Sequence, residues 1–435
     1  MSATLRTEFV KKYMVLMKKV ILSCMIGNAL EWYAFVIFGF FAPIISSQFF
    51  PETSHTVALM KAFSLFAMGF IARPLGAIVF GHIGDKVSRK NALLLSIFVM
   101  AIPTAMIGML PTHEQIGILA PILLSVLLIM QGFAIGGEFT GSMVFMIESA
   151  PNGRRGAIGS WATFSCVIGV IIGSAISTFI TFMLPTEKLV SWGWRIPFLL
   201  TILGSAIGTY MRRNIPEPKG FIKEKKEHSH SPIPLKELFT EHWKKIQTVI
   251  LIDFVTAFGF FILVIFLPTY LQSPAYLNLP ASTAMKINTI NMFIFAICTL
   301  VGGRLSDKYG RKIIFTYVCG VFIMAAYPVF KLFSLNSDYA PFFAQGIIAI
   351  HMGLFFGVIP AALSEIFPRH VRFTGLSLSH NISMALFGGS APFLATYLIE
   401  VTSDIAAPAY MLIVASLLCL CGLPLFAERY KESAI

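Results

Sequence analysis

The chain has 435 residues, of which 56% are hydrophobic and only 12% charged, with a net charge of +12. A soluble globule carries about 25% charged residues, so this composition excludes an ordinary cytosolic fold and turns the excess apolar surface toward a bilayer. A spanning helix takes about 20 apolar residues, and the length suits twelve such helices joined by short loops.

Apolar segments fall near 20–45, 57–80, 92–110, 116–147, 157–183, 193–211, 247–271, 284–303, 313–333, 340–363, 375–399 and 406–426. The first follows several lysines but is too long for the apolar region of a signal peptide, so it is read as a retained helix. Between the sixth and seventh lies one long polar stretch, Arg212 to Lys245, with Pro216, Pro218, Pro232, Pro234 and the charged run 223–227. The expected fold is therefore an all-α integral membrane protein of twelve transmembrane helices in two pseudo-symmetric six-helix bundles. The bundles are set at 1–212 and 246–435, with a cytoplasmic linker at 213–245. The six cysteines all lie inside apolar runs, with spacing that fits neither a zinc site nor a secreted disulfide framework.

With both termini cytoplasmic, 27 of the 33 Lys and Arg face the cytoplasm, five face the other side and Arg73 sits within a helix. This positive-inside bias accounts for the net charge. The basic residues are dispersed over seven short segments rather than gathered on one folded face, so no nucleic-acid partner is expected. The expected partners are the lipid bilayer, a small-molecule substrate and protons, with the monomer as the working unit.

An internal repeat supports the two halves. Gly81-His82-Ile83-Gly84-Asp85-Lys86-Val87-Ser88-Arg89-Lys90 follows the second segment, and Gly303-Arg304-Leu305-Ser306-Asp307-Lys308-Tyr309-Gly310-Arg311-Lys312 follows the eighth, 222 positions on. Glu148 with Arg154 and Arg155, and Glu365 with Arg369 and Arg372, repeat at 217. Two unrelated signatures at nearly one spacing imply duplicated halves related by an axis along the membrane normal.

Charges deep in a bilayer are costly, so ionisable residues in apolar spans are functional candidates by default. Glu31 and Glu138 are read as proton-coupling carboxylates, because desolvation disfavours the charged form and brings reversible protonation within reach. Arg73 either binds a substrate carboxylate through its fork or neutralises Glu31 or Glu138. Asp253, about two turns into its helix, reads as a partner in a cytoplasmic-end ion pair. Trp32 and Tyr33 adjoin Glu31 and either face a cationic substrate or pack. His351 and His380 are proton relays or hydrogen-bonded core residues, and Asn28, Gln131, Gln345 and Asn381 either line the pathway or join helices. Asp85, Arg89, Glu148, Arg154, Arg155, Asp307, Arg311, Glu365 and Arg372 are expected to gate the cytoplasmic face by ion pairs made in one conformation and released in the other. The glycine pairs 132/136, 169/173, 204/208 and 353/357 are assigned to close helix packing.

The two decapeptides resemble the loop motif of the major facilitator superfamily. Gly27-Asn28-Ala29-Leu30-Glu31-Trp32-Tyr33, Arg73-Pro74-Leu75-Gly76, Gly136-Gly137-Glu138 and Trp192-Gly193-Trp194-Arg195-Ile196-Pro197-Phe198 are similar to its metabolite:proton symporters. So is Gly388-Gly389 with Ala391-Pro392. The resemblance implies uptake by alternating access, for substrates that range from proline and betaine to dicarboxylates, citrate, 2-oxoglutarate and shikimate. Gly137-Glu138-Phe139-Thr140-Gly141 and Ala407-Pro408-Ala409-Tyr410 lean toward the proline/betaine branch. Three positions depart from the family pattern: Ala34 where an Asp is common, Ser88 where Gly is usual, and His380 where an aromatic is common. No P-loop, H-E-x-x-H or G-x-S-x-G element occurs, so neither a nucleotide-driven pump nor an enzyme is expected, and no cofactor or metal. A passive facilitator of the same fold is the rival function.

Overall fold

The computed structural model describes residues 3–50, 55–217, 234–272, 276–335, 337 and 339–428, and every regular element among them is helical. Twelve long helices follow the expected segments in order. In the first half they are α1 (Ala3–Phe49), α2 (His55–Lys86), α3 (Arg89–Met109), α4 (Leu119–Ser149), α5 (Arg155–Met183) and α6 (Ile196–Arg213). The second half begins with α7 (Trp243–Phe261), which continues through a π-helical turn at Ile262–Phe266 into Leu267–Gln272. Then come α8 (Ala281–Tyr309), α9 (Arg311–Leu332) and α10 (Ala340–Ile366). The next, α11 (Arg372–Ser383), passes through a second π-helical turn at Met384–Gly388 and resumes at Ala391–Thr402, and α12 (Pro408–Gly422) ends the series. Among the described residues, ten of these helices are long and apolar enough to cross a membrane; α6, which ends on Arg212 and Arg213, is not one of them.

Two local differences from expectation have clear causes. First, α1 starts well before the apolar run, because the lysine-rich segment ahead of it is made of good helix formers and continues the same helix. Second, the repeated decapeptides are not loops. In the first copy only Val87 and Ser88 separate α2 from α3, and in the second only Gly310 separates α8 from α9. Gly310 turns the chain at φ +106°, a region closed to side chains. Its counterpart Ser88 is extended (φ −169°), and its hydroxyl caps α3 by accepting from the Asn91 amide at 2.9 Å. Serine in place of the usual glycine thus exchanges backbone freedom for an N-cap. The charged run 223–227 of the linker lies outside the described residues.

Contacts divide the chain into two compact units, Met1–Ser149 with Ser165–Ser231, and Ala150–Phe164 with Pro232–Ile435. The N-terminal end of α5 therefore groups with the second unit. The units repeat one packing plan: α2 on α4, α3 on α4 and α3 on α6 in the first, and α8 on α10, α9 on α10 and α9 on α12 in the second. Gly132 and Gly136 of α4 meet the α2 backbone at Gly69 and Arg73, while Gly353 and Gly357 of α10 meet the α8 backbone at Phe295 and Thr299. The two glycine pairs are 221 positions apart, and a Cβ at any of the four would strike backbone. At the other end of α9, Lys331 Nζ and Tyr327 Oη each donate to Asp404 at 2.9 Å. The Lys331 hydrogen bond holds the Asp404 carboxyl below the usual carboxylate range.

Candidate functional site

The first unit buries a bidentate ion pair. Glu138 of α4 is fully buried and accepts from both terminal nitrogens of Arg212 at the end of α6, one of them at 2.7 Å, and from the Ser96 hydroxyl of α3. Arg212, also fully buried, donates to the Leu93 carbonyl at 2.6 Å as well. Room for this pair comes from Gly27 of α1, where a Cβ would run into both the guanidinium and the carboxylate. The partner that neutralises Glu138 is therefore Arg212 and not Arg73. Sequence reasoning counted Arg212 among the linker charges because the apolar run stops there. The usable signal was helical spacing: Gly204, Gly208 and Arg212 form one stripe, and its two glycines face Leu30 of α1.

Glu31 and Arg73 are arranged differently. Glu31 is 2% exposed with its Oε2 buried and unpartnered, and Arg73 is 4% exposed with its Nε buried and unpartnered. The Arg73 charge acts on Glu31 without closing an ion pair, and the guanidinium lies over the rings of Phe70 and Phe35, 4.1 and 5.2 Å from their centroids. Trp32 packs edge-on against Phe35 at 5.6 Å. Tyr33 instead joins an apolar cluster with Phe38, Phe41 and Phe198, and its hydroxyl donates to the Pro197 carbonyl at 2.8 Å. Asn28 bridges Ser142 and Ser165, and Gln131 donates to Thr104 and the Ala34 carbonyl, so both join helices. Ala34 itself is fully buried against Met100 and Ala134, with Gln131 on its carbonyl.

In the second unit, Asp253 of α7 is fully buried and its Oδ2 lies 2.8 Å from Nδ1 of His380 in α11. The partner of Asp253, expected as half of a cytoplasmic-end ion pair, is the His380 imidazole, because α7 and α11 pack together there. His380, four residues before a π-turn, thus has a structural account for replacing an aromatic. Asn381 donates back to the Ser377 carbonyl at 2.8 Å, and Gln345 bridges to Asn288 at 3.0 Å. His351 meets the Ile347 carbonyl of its own helix, exposed Tyr317 and the edge of Phe322.

The gate candidates form one cluster in each unit. In the first, Arg89 pairs with Asp85 and, at 3.2 Å, with Glu148. Arg89 is 1% exposed and Asp85 8%, so these charges stand buried at helix ends rather than in an open loop. In the second, Arg311 pairs with Asp307 at 2.9 Å and Glu365 at 3.1 Å, and Arg155 reaches Glu365 at 3.7 Å. Asp307 also accepts from the Gly156 and Ala157 amides, both at 2.7 Å, and so caps the N-terminus of α5. Arg372 donates to the Phe367 carbonyl at 3.3 Å. Arg154 is solvent-exposed and joins no ion pair among the described residues.

The sequence matches the family profile of the Major Facilitator Superfamily over residues 24–287 and 275–434. It is 32% identical over 413 residues to the glycine betaine/proline/ectoine/pipecolic acid transporter OusA of Dickeya dadantii, an alignment covering 92% of this chain and 81% of the relative. It is 32% identical over 409 residues to the proline/betaine transporter of Escherichia coli K12, covering 92% and 81%. Against a putative proline/betaine transporter of Staphylococcus aureus, identity is 34% over 407 residues, covering 92% and 86%. Among solved structures, the proton:xylose symporter XylE superposes with a TM-score of 0.79 at 14% identity, over 96% of this chain and 98% of that one. FucP in its outward conformation gives 0.66 at 15%, over 94% and 100%.

Proposed function

Because the chain belongs to the Major Facilitator Superfamily, we propose that it is a secondary transporter taking up a small zwitterion of the proline/betaine type together with protons, by alternating access. The observation that carries this is the pair of buried, opposite and incompletely partnered charges of Glu31 and Arg73. Arg73 is the nearby counter-charge of Glu31, and its fork fits a substrate carboxylate. When a substrate engages Arg73, Glu31 loses that counter-charge and is free to take a proton, so substrate and proton load together. The face of Trp32 suits the substituted ammonium of the same ligand. In this proposal Glu138, held by Arg212, keeps the bundle in register, and the two charge clusters form and break as the carrier reorients. The protein works as a monomer in a bacterial cytoplasmic membrane with both termini inside, an orientation supported by 27 of 33 basic residues on that side.

Proteoliposome uptake of proline, glycine betaine and a dicarboxylate panel, with and without an inward proton gradient, tests the proposal. The expected result is saturable, concentrative uptake of proline or glycine betaine that a protonophore abolishes. Uptake confined to dicarboxylates or citrate would move the chain to the carboxylate branch. Equilibration indifferent to the gradient would make it a facilitator.

A further inference from the structure

Away from the membrane core, the fold assembles a second titratable group that transport does not use. Glu237 lies in the short helix Pro234–Glu241 at the end of the linker, His242 follows that helix directly, and His370 lies in the 3-10 turn Arg369–Val371 that leads into α11. One ligand atom from each side chain falls within 4.8 Å of the other two. His370 Nε2 is 2.5 Å and His242 Nε2 3.5 Å from the same carboxylate oxygen, Glu237 Oε1. Glu237 is only 6% exposed, and no Lys or Arg among the described residues pairs with it. A buried carboxylate whose partners are imidazoles lacks a full counter-charge, which a cation supplies.

We propose that Glu237, His242 and His370 form a divalent transition-metal site of the zinc class. Two imidazoles and one carboxylate are a donor set that Zn2+ takes, with water completing a tetrahedron. At Zn–N and Zn–O lengths near 2.0–2.2 Å, tetrahedral donors stand about 3.4 Å apart. The Glu237–His242 separation already matches, and Glu237–His370 needs to open by roughly 1 Å on the same scale. Both imidazoles are partly exposed, 15% and 23%, which leaves solvent access for the water and for the ion.

The site clasps the end of the linker to the turn between α10 and α11. That turn begins just after Glu365, a member of the Arg311–Asp307–Arg155 cluster. An ion bound only when the clasp is closed stabilises that arrangement and slows departure from it, so the metal acts as a brake on turnover.

The test uses the full chain purified without a polyhistidine tag. Titration with Co2+ should give visible absorption bands of a tetrahedral site at one ion per chain, displaced by Zn2+. His242→Ala and His370→Ala should each weaken binding about tenfold or more, and the double variant should abolish it. A His228→Ala/His230→Ala variant, altered in the neighbouring linker histidines, should bind as the parent does. In proteoliposomes Zn2+ should slow uptake by the parent and leave uptake by the double variant unchanged. Metal-free melting of each variant checks that the fold survives; if His370→Ala melts early, His242→Ala alone decides. Absence of saturable Co2+ binding, binding that survives the deciding substitutions, or binding lost with His228 and His230 would overturn the proposal. Zinc binding without transport is readable by itself, so failure here is distinct from failure of the symport proposal.

Discussion

Replacing Glu138 by Gln separates a structural charge from a coupling one. The carboxylate accepts from both terminal nitrogens of Arg212 and from Ser96 in a site with no exposure. Gln keeps the volume but offers one acceptor oxygen and turns an NH2 donor toward a guanidinium that only donates. Removing one partner of a fully buried pair costs about 3–5 kcal/mol, because the remaining charge is stranded. Spread over a unit of this size, that is a fall in apparent melting temperature on the order of 10 °C. Counterflow and proton-driven accumulation should fall together with it. The double variant Glu138→Gln/Arg212→Gln removes both charges and leaves two amides able to bond each other, so most of the lost stability should return. Melting of the single and double variants in detergent, with counterflow and accumulation in proteoliposomes, measures all of this. If Glu138→Gln melts as the parent does and loses accumulation while keeping counterflow, Glu138 is the coupling carboxylate and the assignment of that role to Glu31 is wrong.

The complementary substitution Glu31→Gln should leave melting within about 1 kcal/mol of the parent, since no ion pair is lost, and should abolish accumulation while sparing counterflow; loss of counterflow too would tie Glu31 to substrate binding alone. Arg155→Ala should slow turnover severalfold by weakening the hold on Glu365, whereas Arg154→Ala, at an exposed residue without an ion pair, should transport normally; equal effects would reduce both to topology signals. Asp85→Asn should cut turnover more than affinity, and it is a cleaner probe than Arg89→Ala, which strands two buried carboxylates; unchanged turnover would remove the gate role. Ala34→Asp, which installs the residue common in the family, should lower stability by about 2 kcal/mol or more, because the new carboxylate is buried against Met100 and Ala134; normal melting would show that a neighbour such as Gln131 accommodates it.

The twelve helices were legible because hydropathy and the length of a span write the fold directly into composition. The glycine crossings were legible for a related reason: small residues at i and i+4 have one packing use in apolar helices. Pairing was harder to read. Which carboxylate meets which cation depends on helix rotation, and nothing local in Glu138 points to Arg212, 74 positions away. Arg212 was hidden by its place at the end of an apolar run, where a charge reads as a loop residue. Asp253 looked peripheral by depth alone, yet His380 on a neighbouring helix was its partner. Polar residues such as Asn28 and Gln131 carried two readings, and their hydrogen bonds between helices favour the joining one. The Glu237, His242 and His370 group was out of reach because His370 lies 133 positions from Glu237 with no motif spacing.

The glycine crossings also govern how each unit can bend. At Gly132/Gly136 and Gly353/Gly357 two helices approach backbone to backbone, with only the Cβ of Cys298, at Gly353, as a side-chain atom among the nearest neighbours. Such a seam has no second resting position within reach, since sliding it by one residue drives a Cβ into a carbonyl. The pairs α2–α4 and α8–α10 are in this sense struts, and in the proposed cycle strain would be shed elsewhere. The bulged stretches Ile262–Phe266 and Met384–Gly388, where a hydrogen-bond ladder is already out of step, are the compliant members. Each strut holds one arm of a charge: Arg73 leaves α2 at the crossing itself, and Glu365 leaves α10 two turns beyond it. In the proposed cycle, charges mounted on the stiff members would keep their positions while the bulged helices flex around them.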